Sequence, residues 1–136
     1  MATQTDTAAP NVAIDGEDWL AAFFADADTF QLPRLVAWFA DDIEVRFGNA
    51  PAIHGKPAAE EAFRQFWASI AGMRHRRETA LAVGDMGTQT SIVTYVRPDG
   101  SEASMPVASH LRRNADGRVD RLWIIIDMAP LFAAAI

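Results

Sequence analysis

Three turn signals in the second half of the chain constrain its fold more than any other feature. Gly84-Asp85-Met86-Gly87, Pro98-Asp99-Gly100 and Asp116-Gly117 separate the segments RHRRETALAV, TQTSIVTYVR, SEASMPVASHLRR and RVDRLWIIID. Glycine supplies the left-handed backbone of tight reversals, and proline and aspartate pre-form them. Each intervening segment has strand length. Four strands joined by tight turns predict an antiparallel meander.

The first half reads differently. Trp19, Leu20, Phe23, Phe24 and Ala27 recur at helical spacing, and Asp15 is placed to cap a helix over residues 16–28. Pro33 suits the start of a second, short helix carrying Leu35, Val36, Trp38 and Phe39, which stops around Ala40-Asp41-Asp42. Ile43, Val45 and Phe47 then alternate with Glu44 and Arg46, the period of a half-buried strand. GNAPAIHGK reads as a loop. Pro57 opens a third helix with an apolar stripe of Ala62, Phe63, Phe66, Trp67 and Ile70, stopped at Gly72. Helices first and strands after predict an α+β domain over residues 13–136, preceded by a flexible tail at 1–12.

Half of the 136 residues are apolar, enough for one core. The net charge of −6 and the lack of a basic run argue against a nucleic-acid partner. The chain has no cysteine, which excludes disulfides and thiolate chemistry and fits a cytoplasmic location. The N-terminus lacks the pattern of a secretory signal, and no stretch of about 18 apolar residues predicts a membrane span. Leu122 to Ile126 is apolar on both parities, so both faces of the last strand should be covered. A second copy of the chain across the outer sheet face, giving a homodimer, is the expected cover; the C-terminal PLFAAAI folding back is the alternative.

Phe39-Ala40-Asp41-Asp42 followed by IEVRF resembles a segment of ketosteroid isomerases. Ile53-His54-Gly55-Lys56 before the third helix, and His110-Leu111 through Asp116-Gly117-Arg118-Val119 to Asp127, resemble SnoaL-like polyketide cyclases. The chain is similar over about residues 16–132 to this ketosteroid-isomerase-like branch of the nuclear transport factor two superfamily. The resemblance implies a cone-shaped, curved, antiparallel or mixed sheet packed on three N-terminal helices around an apolar pocket. It also implies a small apolar ligand of polyketide, steroid or terpenoid type. The implied chemistry is cofactor-free and metal-free acid–base catalysis of an isomerase, cyclase or hydratase kind. Steroid isomerisation itself is excluded: the isomerases' general base falls on Phe47, and their oxyanion-hole acids fall on Phe23 and Ala108. The catalytic aspartate that cyclases and limonene epoxide hydrolases carry on the last strand falls on Ile124. With apolar residues at the inherited acid positions, a non-catalytic binder or dimeric interaction protein stays open beside the enzyme.

Three candidates remain for proton transfer. His110 should face the pocket if Ala108 does, and it matches a pocket histidine of the cyclases; its alternative is a half-buried histidine bonding a carbonyl. Asp127 follows three isoleucines and is either a desolvated acid or the cap of the turn at Met128-Ala129-Pro130. His75 matches a catalytic histidine of scytalone-dehydratase-like proteins, but within Arg74-His75-Arg76-Arg77 it also reads as a solvated edge. The expected substrate-binding walls are Trp19, Phe23, Phe47 and Trp67. Val45, Tyr95, Ala108 and Ile124 complete them, with the Tyr95 hydroxyl at the rim. The three histidines have no metal-ligand spacing.

Overall fold

The computed structural model describes residues 19–133. The expected tail at 1–12 and the Asp15 cap lie outside the described residues. Helix α1 covers residues 19–28, and α2 covers Leu32–Val36. Strand β1 is Phe39–Phe47 and β2 is Ile53–His54. Helix α3 spans Lys56–Ala68. The meander follows as β3 (Gly72–Val83), β4 (Met86–Val96), β5 (Glu102–Arg113) and β6 (Val119–Ile126). A final turn of helix, α4, is Ala129–Phe132.

The six strands form one mixed sheet in the order β2-β1-β6-β5-β4-β3. The β1–β6 pair alone is parallel, and it brings the strand of the helical half beside the last strand of the meander. The three reversals fall at the expected turns. Gly100 and Gly117 take φ of +89° and +79°, a region where any other L-residue is strained.

Three boundaries differ from the sequence reading. Helix α3 ends at Ala68, short of Ile70, and Gly72 opens β3 instead of stopping the helix. Trp38 and Phe39 leave the second helix: α2 ends at Val36, and β1 begins four residues before Ile43. The pull is tertiary. The Trp38 carbonyl accepts the Val119 N–H at 2.7 Å, and Phe39 pairs with Val119 before a register irregularity leads to Glu44. The GNAPAIHGK loop contains the short β2, whose Ile53 and His54 pair antiparallel with Val45 and Glu44.

Alternation sets the two faces of the sheet. Phe23, Leu20, Val93 and Leu111 are all buried between α1 and the meander. Burying each such side chain contributes about 1.5–3 kcal/mol. Gly87 on β4 marks where α1 approaches most closely, because a Cβ there would stand 2.8 Å from a Leu20 methyl. Asp26 ties α1 to the segment after it. One carboxylate oxygen accepts both Arg34 Nε (3.0 Å) and Arg34 Nη2 (2.7 Å), and the other accepts Trp38 Nε1 at 2.9 Å. The Trp38 bond is the largest influence on this carboxyl, and together with the Arg34 contacts it outweighs the cost of burial and holds the carboxyl below the usual aspartate range.

The described part of the C-terminal segment, up to residue 133, packs away from the outer sheet face. Leu131 is buried, Arg97 donates to the Leu131 and Pro130 carbonyls at 3.1 and 3.0 Å, and Phe132 lies against Val45, Ile53 and α3. Ile125 is left 61% exposed. No described helix is long and apolar enough to cross a membrane.

Candidate functional site

The concave side holds a small chamber of about 40 Å³ between α1, α3 and the meander. Its walls are mostly aromatic and aliphatic: Phe23, Phe24, Phe47, Phe63, Phe66, Leu122 and Ile124 among them. Four of its residues carry polar atoms: His75, Tyr95, Ser109 and Trp67. A second apolar cleft of about 210 Å³ lies against the same Phe47, Phe63 and Phe66, and Val45, Ile53, Met128 and Phe132 close it.

His75 contributes an imidazole to the chamber wall. It stands on β3 with Met73 and Arg77 on the inward parity, and its side chain is only 11% exposed. Asp28, at the end of α1, holds it twice. Asp28 Oδ2 accepts the His75 backbone N–H at 2.9 Å, and Asp28 Oδ1 lies 2.6 Å from His75 Nδ1. The Phe24 ring packs 5.0 Å from the imidazole. With Nδ1 donating to Asp28, Nε2 of the neutral ring keeps its lone pair for proton transfer. The arrangement of an oriented imidazole backed by a carboxylate is that of a general base.

An open groove of about 220 Å³ meets the chamber at His75 and Phe24 from outside, with Asp28, Arg77 and Gln89 on its walls beside Ala21 and Ala25. Arg77 Nε donates to Gln89 Oε1 at 2.7 Å, and the buried Gln89 donates through Nε2 to Ser91 Oγ at 2.9 Å. The imidazole therefore stands between an open groove and an apolar interior.

Tyr95 is 3% exposed and lines the chamber rather than its rim. Burial, with a smaller contribution from the Asp28 carboxylate, pushes its phenol up. It stays protonated and can donate a hydrogen bond inside the chamber.

The sequence-derived candidates separate cleanly. Phe23, Phe47, Trp67, Tyr95, Ile124 and His75 line the chamber, and the solvated-edge reading of His75 is corrected. Val45 belongs to the neighbouring cleft. Trp19 is buried under the Arg113 guanidinium, 4.6 Å from its ring, and borders neither cavity. Ala108 and His110 lie on the opposite face. On β5 the inward positions are Ala103, Met105, Val107, Ser109 and Leu111. His110 pairs across the outer face with Thr88 and Trp123. Its Nδ1 is 3.4 Å from Thr88 Oγ1, and its ring is 5.5 Å from that of Trp123. Burial, then Arg121 and Arg112, lower its pKa. Asp127 is exposed past the end of β6 and accepts the Ala129 N–H at 3.0 Å, which is the turn-capping use.

Asp28 carried no sequence signal, because its partner lies 47 residues away. Ser109 could have been found by alternation, since it shares parity with Met105, Val107 and Leu111.

The structure is similar to several solved proteins. An NTF2-like protein of unknown function from Exiguobacterium sp. 255-15 matches with a TM-score of 0.67 at 23% identity, over 79% of this chain and 97% of the other. A putative polyketide cyclase from Xanthomonas campestris pv. campestris matches at 0.71 and 17% identity, over 82% and 90%. An epoxide hydrolase of M. tuberculosis, described as LEH-like, matches at 0.73 and 14% identity, over 88% of each chain. No curated protein matches the sequence. These similarities establish the fold. The model of the SnoaL-like domain matches residues 17–122. With that span and the six-stranded cone around an internal chamber, the chain belongs to the SnoaL-like family.

Proposed function

We propose that this protein is a cofactor-independent acid–base enzyme acting on a small, largely apolar molecule, with His75 as the proton-transfer group and Asp28 as the residue that orients it. The observation that carries the reading is the double grip of Asp28 on His75 at the chamber wall. Apolar walls position the ligand body, and Tyr95 offers a donor to an oxygen in the same space. His110 and Asp127 have no part in this chemistry, since neither borders the chamber.

The test is turnover of ketones, epoxides and polyketide-like compounds, read by nuclear magnetic resonance in deuterated water. For any compound the protein converts, H75Q should cut the rate by about 10²–10⁴. D28N should also lower it, and H110Q should leave it unchanged. Full activity in H75Q would remove the proposal.

A non-catalytic binder is the second reading. The chamber size favours it: about 40 Å³ is room for about three waters at 10–15 Å³ each. Binding without turnover, insensitive to H75Q, would establish it. We also propose that the outer sheet face is covered by a second copy of the chain, which the exposed Ile125 and the placement of Leu131 and Phe132 elsewhere support. Light scattering should give a dimer mass that I125E reduces to a monomer; a monomeric parent protein would contradict it.

A further inference from the structure

The groove outside the chamber carries a guanidinium with no counter-charge. Arg77 is exposed in its wall and makes no ion pair among the described residues. Its one side-chain hydrogen bond among them runs from Nε to Gln89 Oε1 at 2.7 Å. Arginine presents five N–H donors in a planar fork, so both terminal nitrogens stay open to an acceptor.

That fork is aimed. Gln89 is 2% exposed, and its Nε2 donates to Ser91 Oγ at 2.9 Å, which fixes the end of the amide that faces Arg77. A buried amide is costly unless its polar atoms are met, and here Ser91 and Arg77 meet them. The strand is also bent at this point. Arg77 pairs with Ser91 and Thr79 already with Thr90, so Glu78 is an extra residue on β3, the edge strand of the sheet. Such a bulge re-aims the side chains beside it. The opposite wall is apolar: Ala21 and Ala25 lie one turn apart on α1, with Phe24 between them. The two small side chains leave the groove its width. Asp28 is the acidic group on these walls, and His75 engages both of its oxygens, at 2.9 and 2.6 Å.

We propose that this groove is a binding site for a small monocarboxylate with an apolar body. The terminal nitrogens of Arg77 grip the carboxylate as a bidentate pair, and the hydrocarbon lies along Ala21, Phe24 and Ala25. A dianion such as phosphate would meet a single cation with the Asp28 charge on the same walls. His75 borders the groove as well, so the bound carboxylate sits on the outer side of the imidazole. The site lies outside the chamber, and it holds or fails independently of any turnover by His75.

Hexanoate and hexanamide have one shape and differ in charge. Each is titrated into the isotope-labelled protein at about pH 7.5, where a carboxylic acid is ionised. Hexanoate should shift the Arg77 Nε–H and the Gln89 side-chain amide signals, and should bind about tenfold tighter than hexanamide, the ratio one charge-assisted bond supports. R77Q should abolish that preference. Q89L keeps the arginine but removes its orienting partner, and should weaken hexanoate by about threefold to tenfold. If Q89L does not fold, R77K takes its place, since it keeps the charge without the fork, and the same loss is expected. Inorganic phosphate should bind at these signals more weakly than hexanoate. Equal affinity for acid and amide, a preference that survives R77Q, or shifts confined to other arginines would overturn the site. Tighter binding of phosphate would overturn the assignment of an apolar body.

Discussion

His75 and His110 lie on the same sheet, two strands apart, and their surroundings are opposite. His75 faces the concave side, where Asp28 fixes one ring nitrogen and aromatic rings close around the rest. His110 faces outward among Thr88, Trp123, Arg112 and Arg121. Trp123 lies between the Arg46 and Arg121 guanidinium groups, at 4.7 and 4.5 Å, and donates its N–H to Glu44 at 2.6 Å. One imidazole is presented to a cavity by a carboxylate, and the other belongs to a polar lattice on the outer sheet face. Position on the pleat and the nearest charge decide what an imidazole can do, and residue type does not.

The contrast between faces is first a contrast in stability. Phe23→Ala on the concave side should cost about 3–5 kcal/mol, because Phe23 is 2% exposed and edges both Phe24 and Trp38. Ile125→Ala on the outer face should change monomer stability by no more than about 0.5 kcal/mol. Urea unfolding of both variants at low protein concentration checks the pair; a large cost at Ile125 would mean that face is buried in the working assembly.

A smaller effect tests the same division at neighbouring residues. Gly87→Ala should destabilise by about 1–3 kcal/mol, since the new methyl meets Leu20 on α1. Thr88→Ala, one residue on and facing outward, should cost no more than about 0.5 kcal/mol. Thermal unfolding of the two single variants measures the difference, and equal costs would break the assignment of faces on β4.

The smallest effect concerns pH. The folded pKa of His110 is lowered from the ordinary value of 6.5, by burial first and then by Arg121 and Arg112. Well above 6.5 both folded and unfolded states carry a neutral ring, and the parent protein has its full stability. As pH falls through that value the unfolded chain takes up the proton first, and stability is lost until the folded value is passed. Glutamine does not titrate, so the parent protein should lose ground against H110Q between about pH 7.5 and pH 5. Denaturant midpoints at several pH values check the sign, and a parent protein that gained on H110Q would reverse it.

Much of the fold was legible because its determinants are local. The turn glycines and the apolar periods of α1 and α3 are short-range signals, and the strands and helices follow them. What was not legible depended on distant partners. Phe39 looks helical beside Leu35 and Val36, but Val119 draws its segment into the sheet. Asp28 sits in an unremarkable Ala-Asp-Ala-Asp run and acquires meaning only when β3 passes beside it. His75 was obscured by its arginines, of which Arg74 and Arg76 alternate outward while Met73 and His75 are half-buried on the other face. The misplacement of His110 has a different cause. On β5 the odd positions Ala103, Met105, Val107 and Leu111 are apolar, and the even ones are Ser104, Pro106, Ala108, His110 and Arg112. Alternation alone places His110 outside. Aligning Ala108 to a pocket position of distant relatives shifted the strand by one residue, which exchanges its faces.

The hold of Asp28 on His75 is the centre of the account, and the nitrogen spectrum of the histidine rings reads it directly. In its neutral form the His75 ring should be locked as the Nδ1–H tautomer with Nε2 unprotonated, and D28N should release it. His110 should be indifferent to D28N. A His75 ring carrying its proton on Nε2, or averaging freely between tautomers in the parent protein, would contradict the role assigned to the pair.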